Sequence, residues 1–130
     1  KRVYNSVNNM KLLPSEIKSR FIVPAVRKHL SKKLREMGLK QTEIANELGL
    51  TQSAVSQYLK DKRGVSELNM TPEIEKEIER SAHEISKSDD EYKTPRELKR
   101  ICDILDEEGI VCKIHRKHDD LPENCIFCGS

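Results

Sequence analysis

The sequence predicts an all-α protein, and three observations carry the prediction. Aromatic residues make up only 4% of the 130 residues and Trp is absent, so the core has to be aliphatic. Apolar residues recur at three- and four-residue spacing along most of the chain, the period of a helix buried on one face. Helix starts and stops fall at the ends of those runs. Hydrophobic and charged residues each make up 35%. So polar a chain buries limited surface alone, and a partner subunit or a metal would help it. The length is too small for a large barrel or a two-half dinucleotide-binding fold. No run of about 18 apolar residues occurs, so no membrane-spanning segment is expected.

Residues 1–13 are polar and irregular, with Asn5, Asn8 and Asn9, and read as an arm. Ser15 is placed to cap a helix after Pro14. Ile17, Phe21, Ile22, Ala25, Val26, Leu30 and Leu34 then follow helical spacing. Pro24 removes one backbone donor, which predicts a kink or two consecutive helices near residue 23. Gly38 supplies a stop. The opposite face carries Arg27, Lys28, Lys32, Lys33 and Arg35, either a solvated face or one that tracks phosphates.

Residues 40–63 read as two short helices around a tight turn. Ile44, Ala45 and Leu48 face inward on the first, about Gln41–Leu48. Gly49 reverses the chain and is expected at positive φ. Thr51 caps the second, about Gln52–Lys60, with Val55, Tyr58 and Leu59 inward. The small Ala45 lets the two helices approach closely. This is the helix-turn-helix pattern, with its second helix presented outward.

A loop, Gly64–Met70, leads to a third region. Thr71-Pro72-Glu73-Ile74 is a helix start with cap, N1 proline and early acid. Ile74, Ile78, Ala82 and Ile85 form one stripe, which suits a dimer seam or the domain's own core equally well. Ser86–Glu91 is a polar break. Thr94 and Glu97 are spaced for a capping box. Leu98, Ile101, Cys102 and Leu105 share the next apolar face, Gly109 ends it, and the tail from Ile110 reads as loop-rich. The organisation is therefore an arm (1–13), a helix-turn-helix domain (14–64), a helical region that is the candidate for dimerisation (65–111), and a Cys-rich tail (112–130).

The net charge of +2 hides a division. Residues 1–63 carry 14 Lys/Arg against 5 Asp/Glu, whereas residues 64–111 carry 7 against 14. A basic first half points to a polyanion such as nucleic acid; the alternative is two solvated faces that attract each other in a dimer.

The exposed first turn of the second short helix offers Gln52, Ser53, Ser56 and Gln57 to a major groove. Glutamine can pair with adenine N6 and N7, and serine suits several bases. Lys60, Lys62 and Arg63 follow and would neutralise phosphates. No Arg stands among the base-facing positions. That predicts modest affinity per half-site, and hence a homodimer on two symmetric half-sites.

The stretch Lys40-Gln-Thr-Glu-Ile-Ala-Asn-Glu-Leu-Gly-Leu-Thr-Gln-Ser-Ala-Val-Ser-Gln-Tyr-Leu-Lys-Asp-Lys-Arg-Gly64 resembles the lambda-repressor-like (XRE-type) DNA-binding domain. The resemblance implies base-reading roles for Gln52, Ser53 and Gln57, and a phosphate contact at Gln41. Pro14 to Gly38 and the cysteine-bearing tail resemble a narrower group, predicted archaeal transcription regulators with a Cys-rich C-terminal region.

All four cysteines lie late in the chain, as Cys102-x9-Cys112-x12-Cys125-x2-Cys128. Cys125-Ile-Phe-Cys128-Gly129 has the shape of a metal knuckle, whose two-residue gap turns both thiolates to one ion. Four thiolates suit zinc or a 4Fe–4S cluster, and spacing does not decide between them. Cys112-Lys-Ile-His115 has knuckle spacing too, so His115 is an alternate ligand that would leave Cys102 as a buried helix residue. The related tails carry cysteine at the position of Cys102, which favours four Cys. Four unligated thiols or two disulfides are the bland reading. His29, His83 and His118 read as surface residues.

Together these features predict a cytoplasmic, dimeric, sequence-specific regulator of transcription acting on double-stranded DNA. Its cysteine site would be structural if zinc, and a redox, iron or sulfur sensor if iron–sulfur. The alternative is an interaction module of the same fold, a coactivator, antitoxin or RNA-associated protein, with a structural zinc. A zinc enzyme is disfavoured, because no acid–base partner motif and no phosphate-binding glycine loop accompany the ligands.

Overall fold

The computed structural model describes residues 12–60 and 70–119, and every element in it is helical. Helix α1 (Pro14–Ile17) opens the fold. Its start is held by Glu16, whose Oε1 accepts from the Leu13 N–H at 2.8 Å. Ser15 lies inside the helix and is not its cap, because Pro14 already occupies a helical position.

The break expected near residue 23 takes the form of a π-helical turn, Lys18–Ile22, followed by α2 (Val23–Glu36). The Val23 N–H reaches back five residues to the Lys18 carbonyl. Widening the turn at this point accommodates Pro24, which has no N–H and sits in the first turn of α2.

Helix α2 is the hub. Val26, Leu30 and Leu34 are fully buried, and the helix packs against each of the next four. These are α3 (Gln41–Leu48), α4 (Gln52–Lys60), α5 (Pro72–Lys87) and α6 (Lys93–Glu107). Because α2 is surrounded, its basic residues do not form the open face that the sequence suggests. Lys28 is buried, Arg27, Lys32 and Lys33 are half-buried, and Arg35 alone of the five is exposed. His29 likewise is half-buried rather than at the surface, and its Nε2 is enclosed without a hydrogen-bond partner. Burial, reinforced by repulsion from Lys32 and Lys28, holds this imidazole below its ordinary pKa against the opposing pull of Glu75.

Helix α5 begins as its sequence dictates, with Thr71 Oγ1 accepting from the Ile74 N–H at 3.2 Å. Its Ile74, Ile78, Ala82 and Ile85 are all buried against the chain's own helices. The dimer-seam reading of this stripe is thereby corrected: one chain consumes it. Leu98, Ile101 and Leu105 of α6 complete the core, which holds aliphatic side chains throughout, as the composition requires.

Polar contacts fix α5 to α6. Ser81 Oγ donates to Glu97 Oε1 at 2.7 Å, and Arg100 Nε donates to the same oxygen at 3.0 Å. Arg100 also donates to Ser81 Oγ at 2.8 Å, to the Glu77 carbonyl at 3.1 Å and to the Glu77 carboxylate. That last hydrogen bond is the main reason the Glu77 carboxyl sits below the usual carboxylate range. Glu97 is thus committed to this network and forms no capping box with Thr94. Helix α6 starts at Lys93, so Thr94 is already inside it.

Gly109, at φ +77°, ends α6, but the chain then resumes a helix. Helix α7 (Ile110–Asp119) replaces the loop-rich start expected for the tail, and Ile110, Val111 and Ile114 are buried. Their spacing is the helical signal, muted by the lysines and histidines between them. Helix α7 packs on α6 and α1. The Leu12 N–H donates to Asp119 Oδ2 at 2.8 Å, and His115 Nε2 lies 3.1 Å from the same oxygen.

Candidate nucleic-acid interface

Helices α3 and α4 form the two-helix unit that the sequence outlines. Ile44, Ala45 and Leu48 are buried on α3, and Val55 is fully buried on α4. Leu59 packs at the edge of the core, and Tyr58 is half-buried rather than inward. Between the helices stand Gly49, Leu50 and Thr51. Gly49 adopts φ +66°, the left-handed region in which a side chain is strained. The Leu50 N–H closes the turn on the Ala45 carbonyl at 2.9 Å. Thr51 Oγ1 accepts from the Ala54 N–H at 3.0 Å and so caps α4.

This geometry turns the first face of α4 outward. Gln52, Ser53 and Gln57 are exposed, and Ser56 is half-buried at the rim. Gln41 is exposed at the first position of α3, and Lys60 at the last position of α4. An open groove between the helices is lined by Thr42, Glu43, Asn46, Gly49, Leu50 and Gln52. Lys62 and Arg63 lie outside the described residues. The amide and hydroxyl groups on α4 can donate and accept, and none of them titrates near neutrality. Residues 40–60 hold Lys40 and Lys60 against Glu43 and Glu47, so the unit itself is neutral. The positive charge of the first half sits mainly on residues 1–13, the π-turn and α2.

One set of contacts here has no signal in the local sequence. The Thr94 hydroxyl donates to the Glu47 carbonyl at 2.6 Å. Lys93 Nζ lies 3.0 Å from Glu47 Oε1 and also donates to the Ser88 carbonyl at 2.8 Å. The start of α6 therefore grips the end of α3.

The cysteines divide. Cys102 is half-buried on α6 and Cys112 half-buried on α7, both as free thiols, while Cys125 and Cys128 lie outside the described residues. Burial pushes the Cys102 thiol up, with Lys18 and Arg27 pulling the other way. His115 is 2% exposed and engaged with Asp119, a core position on α7. Among the described residues, His, Cys, Asp and Glu do not gather in groups of three or more fit to hold a metal ion.

Residues 30–71 match the helix-turn-helix family model HTH_3, which spans the latter part of α2, α3 and α4 and ends at Thr71, the cap of α5. No curated protein and no solved structure matches the chain. The protein is thus all-helical among its described residues and carries a helix-turn-helix domain. No helix among those residues is long and apolar enough to cross a membrane.

Proposed function

We propose that the protein is a sequence-specific DNA-binding regulator of transcription that reads the major groove with α4. The observation that carries this reading is the pairing of a buried inner face with an exposed, uncharged outer one. Val55 anchors the helix, while Gln52, Ser53 and Gln57 stand free to meet base edges. An α-helix fits the major groove, and amide and hydroxyl groups match its donor and acceptor code. Gln41, Lys60, Lys62 and Arg63 contact phosphates, and Ser56 reads from the rim. Two copies occupy two half-sites, and they meet on a surface other than the Ile74–Ile85 stripe.

Selection of duplexes from a random pool tests the reading. One enriched sequence is expected, bound by two copies. The slope of log affinity against log salt is then about −3 per copy for three phosphate-neutralising cations. Enrichment of no sequence would defeat the proposal.

The cysteines belong to the same proposal. Cys102, Cys112, Cys125 and Cys128 form a thiolate set suited to zinc or a 4Fe–4S cluster, and a bound metal would displace the thiol protons. Metal and acid-labile sulfide analysis of anaerobically purified protein separates the two. Zinc alone makes the site structural. Iron with sulfide makes it a sensor, whose loss has to change duplex affinity. A metal-free chain would refute the site.

A further inference from the structure

We propose that Lys93 and Thr94 are positioning residues for the reading helix, acting through Glu47 at the end of α3. This rests on the DNA-reading function above. The carbonyls of the last turn of a helix lack partners within it. Glu47 supplies one of them, and the Thr94 hydroxyl satisfies it from 47 positions away in sequence, at 2.6 Å. The Glu47 side chain is held too, with Lys93 Nζ 3.0 Å from Oε1 and 3.2 Å from Oε2. The Lys93 side chain is only 15% exposed, and its ammonium is fixed in turn by the Ser88 carbonyl at the end of α5. The clasp therefore has two points on α3 and a rigid base behind it. Asp90 adds to the base by accepting from the Tyr92 N–H at 2.9 Å and pairing with Arg96.

The clasp is not needed to keep α5 and α6 on the domain. Ile74, Ile78, Ile85, Leu98, Ile101 and Leu105 do that through the core. What the clasp adds is its location. Leu48, Gly49, Leu50 and Thr51 separate Glu47 from Gln52, the first reading residue. A displacement of the end of α3 is passed through that turn to α4, and base-edge hydrogen bonds tolerate only about 0.5 Å of error. Specificity thus depends on α5 and α6, two helices that make no base contact themselves.

The test uses the full chain with Thr94→Val, Lys93→Met and the conservative Thr94→Ser. The readouts are affinity for the selected duplex, affinity for a scrambled duplex of equal length, the thermal midpoint, and hydrogen exchange at the Leu50 amide. Thr94→Val and Lys93→Met together should cut the ratio of the two affinities about tenfold, the effect of losing about 1.4 kcal/mol. Scrambled-duplex affinity should hold, Leu50 should exchange faster, and Thr94→Ser should keep the wild-type ratio. A ratio and an exchange rate that survive both substitutions would overturn this role alone. Affinities for both duplexes falling together with the folded fraction would also overturn it, because that is loss of fold. A wild-type chain that prefers no duplex overturns the DNA reading and this role with it.

Discussion

The α3–α4 unit and the α5–α6 pair follow the same apolar period and use their polar faces in opposite ways. Helices α5 and α6 are 16 and 15 residues long, and the polar side chains where they face each other are spent on joining them. Arg100 alone engages Glu77, Ser81 and Glu97. Helices α3 and α4 are 8 and 9 residues long, and Gln41, Gln52, Ser53 and Gln57 face water. Short helices gain little stability by themselves. The unit therefore borrows rigidity from α2 beneath it and from Lys93 and Thr94 beside it, and its outer side chains remain available. Stability and recognition are carried by different helices.

Substitutions in each region sharpen this contrast. Leu30→Ala should cost the most, about 3 kcal/mol, because Leu30 is fully buried at the hub both regions share; chemical denaturation at neutral pH reads it. Gln52→Ala with Gln57→Ala should lower duplex preference about thirtyfold while shifting stability by less than about 0.5 kcal/mol. A large loss of stability there would break the division of labour. Arg100→Met should do the converse. It strands the buried Glu97 carboxylate and should cost about 1.5 kcal/mol, with the selected and scrambled duplexes still bound in the wild-type ratio.

The smallest effect is expected at His29. Its folded pKa is depressed, chiefly by burial, so the unfolded chain takes up a proton first as pH falls. The associated stability is present above about pH 6.5 and is lost below it. In His29→Gln, the drop in urea midpoint between about pH 7.5 and about pH 5.5 should be smaller than in wild type. An equal drop would assign the acid sensitivity to other groups.

Features whose cause is local were legible in the sequence. The Thr71 and Thr51 caps, the left-handed Gly49 and the break before Pro24 each depend on residues a few positions apart. The exposed outer face of α4 was legible for the same reason. The errors arise where a distant segment decides. Lys28 is buried because α2 is covered by other helices, which no pattern within α2 reveals. Thr94 looks like a cap by spacing, yet its hydroxyl bonds to residue 47. The Ile74–Ile85 stripe suits a seam or a core equally, and only the placement of α2 and α6 decides. The tail from Ile110 reads as loop-rich because its apolar positions are few, and docking on α1 and α6 makes those few sufficient for a helix over Ile110–Asp119.

The hydrogen bond from Leu12 to Asp119 has a topological consequence. It closes the described helices into a ring, with their first and last residues at one corner. Residues 12 and 119 therefore lie side by side. A short peptide bridging the two would lose little entropy on closure, so this protein is a natural subject for circular permutation, with new termini cut into an exposed turn such as the one at Gly38. Anything that grips residue 12 is held within reach of residue 119.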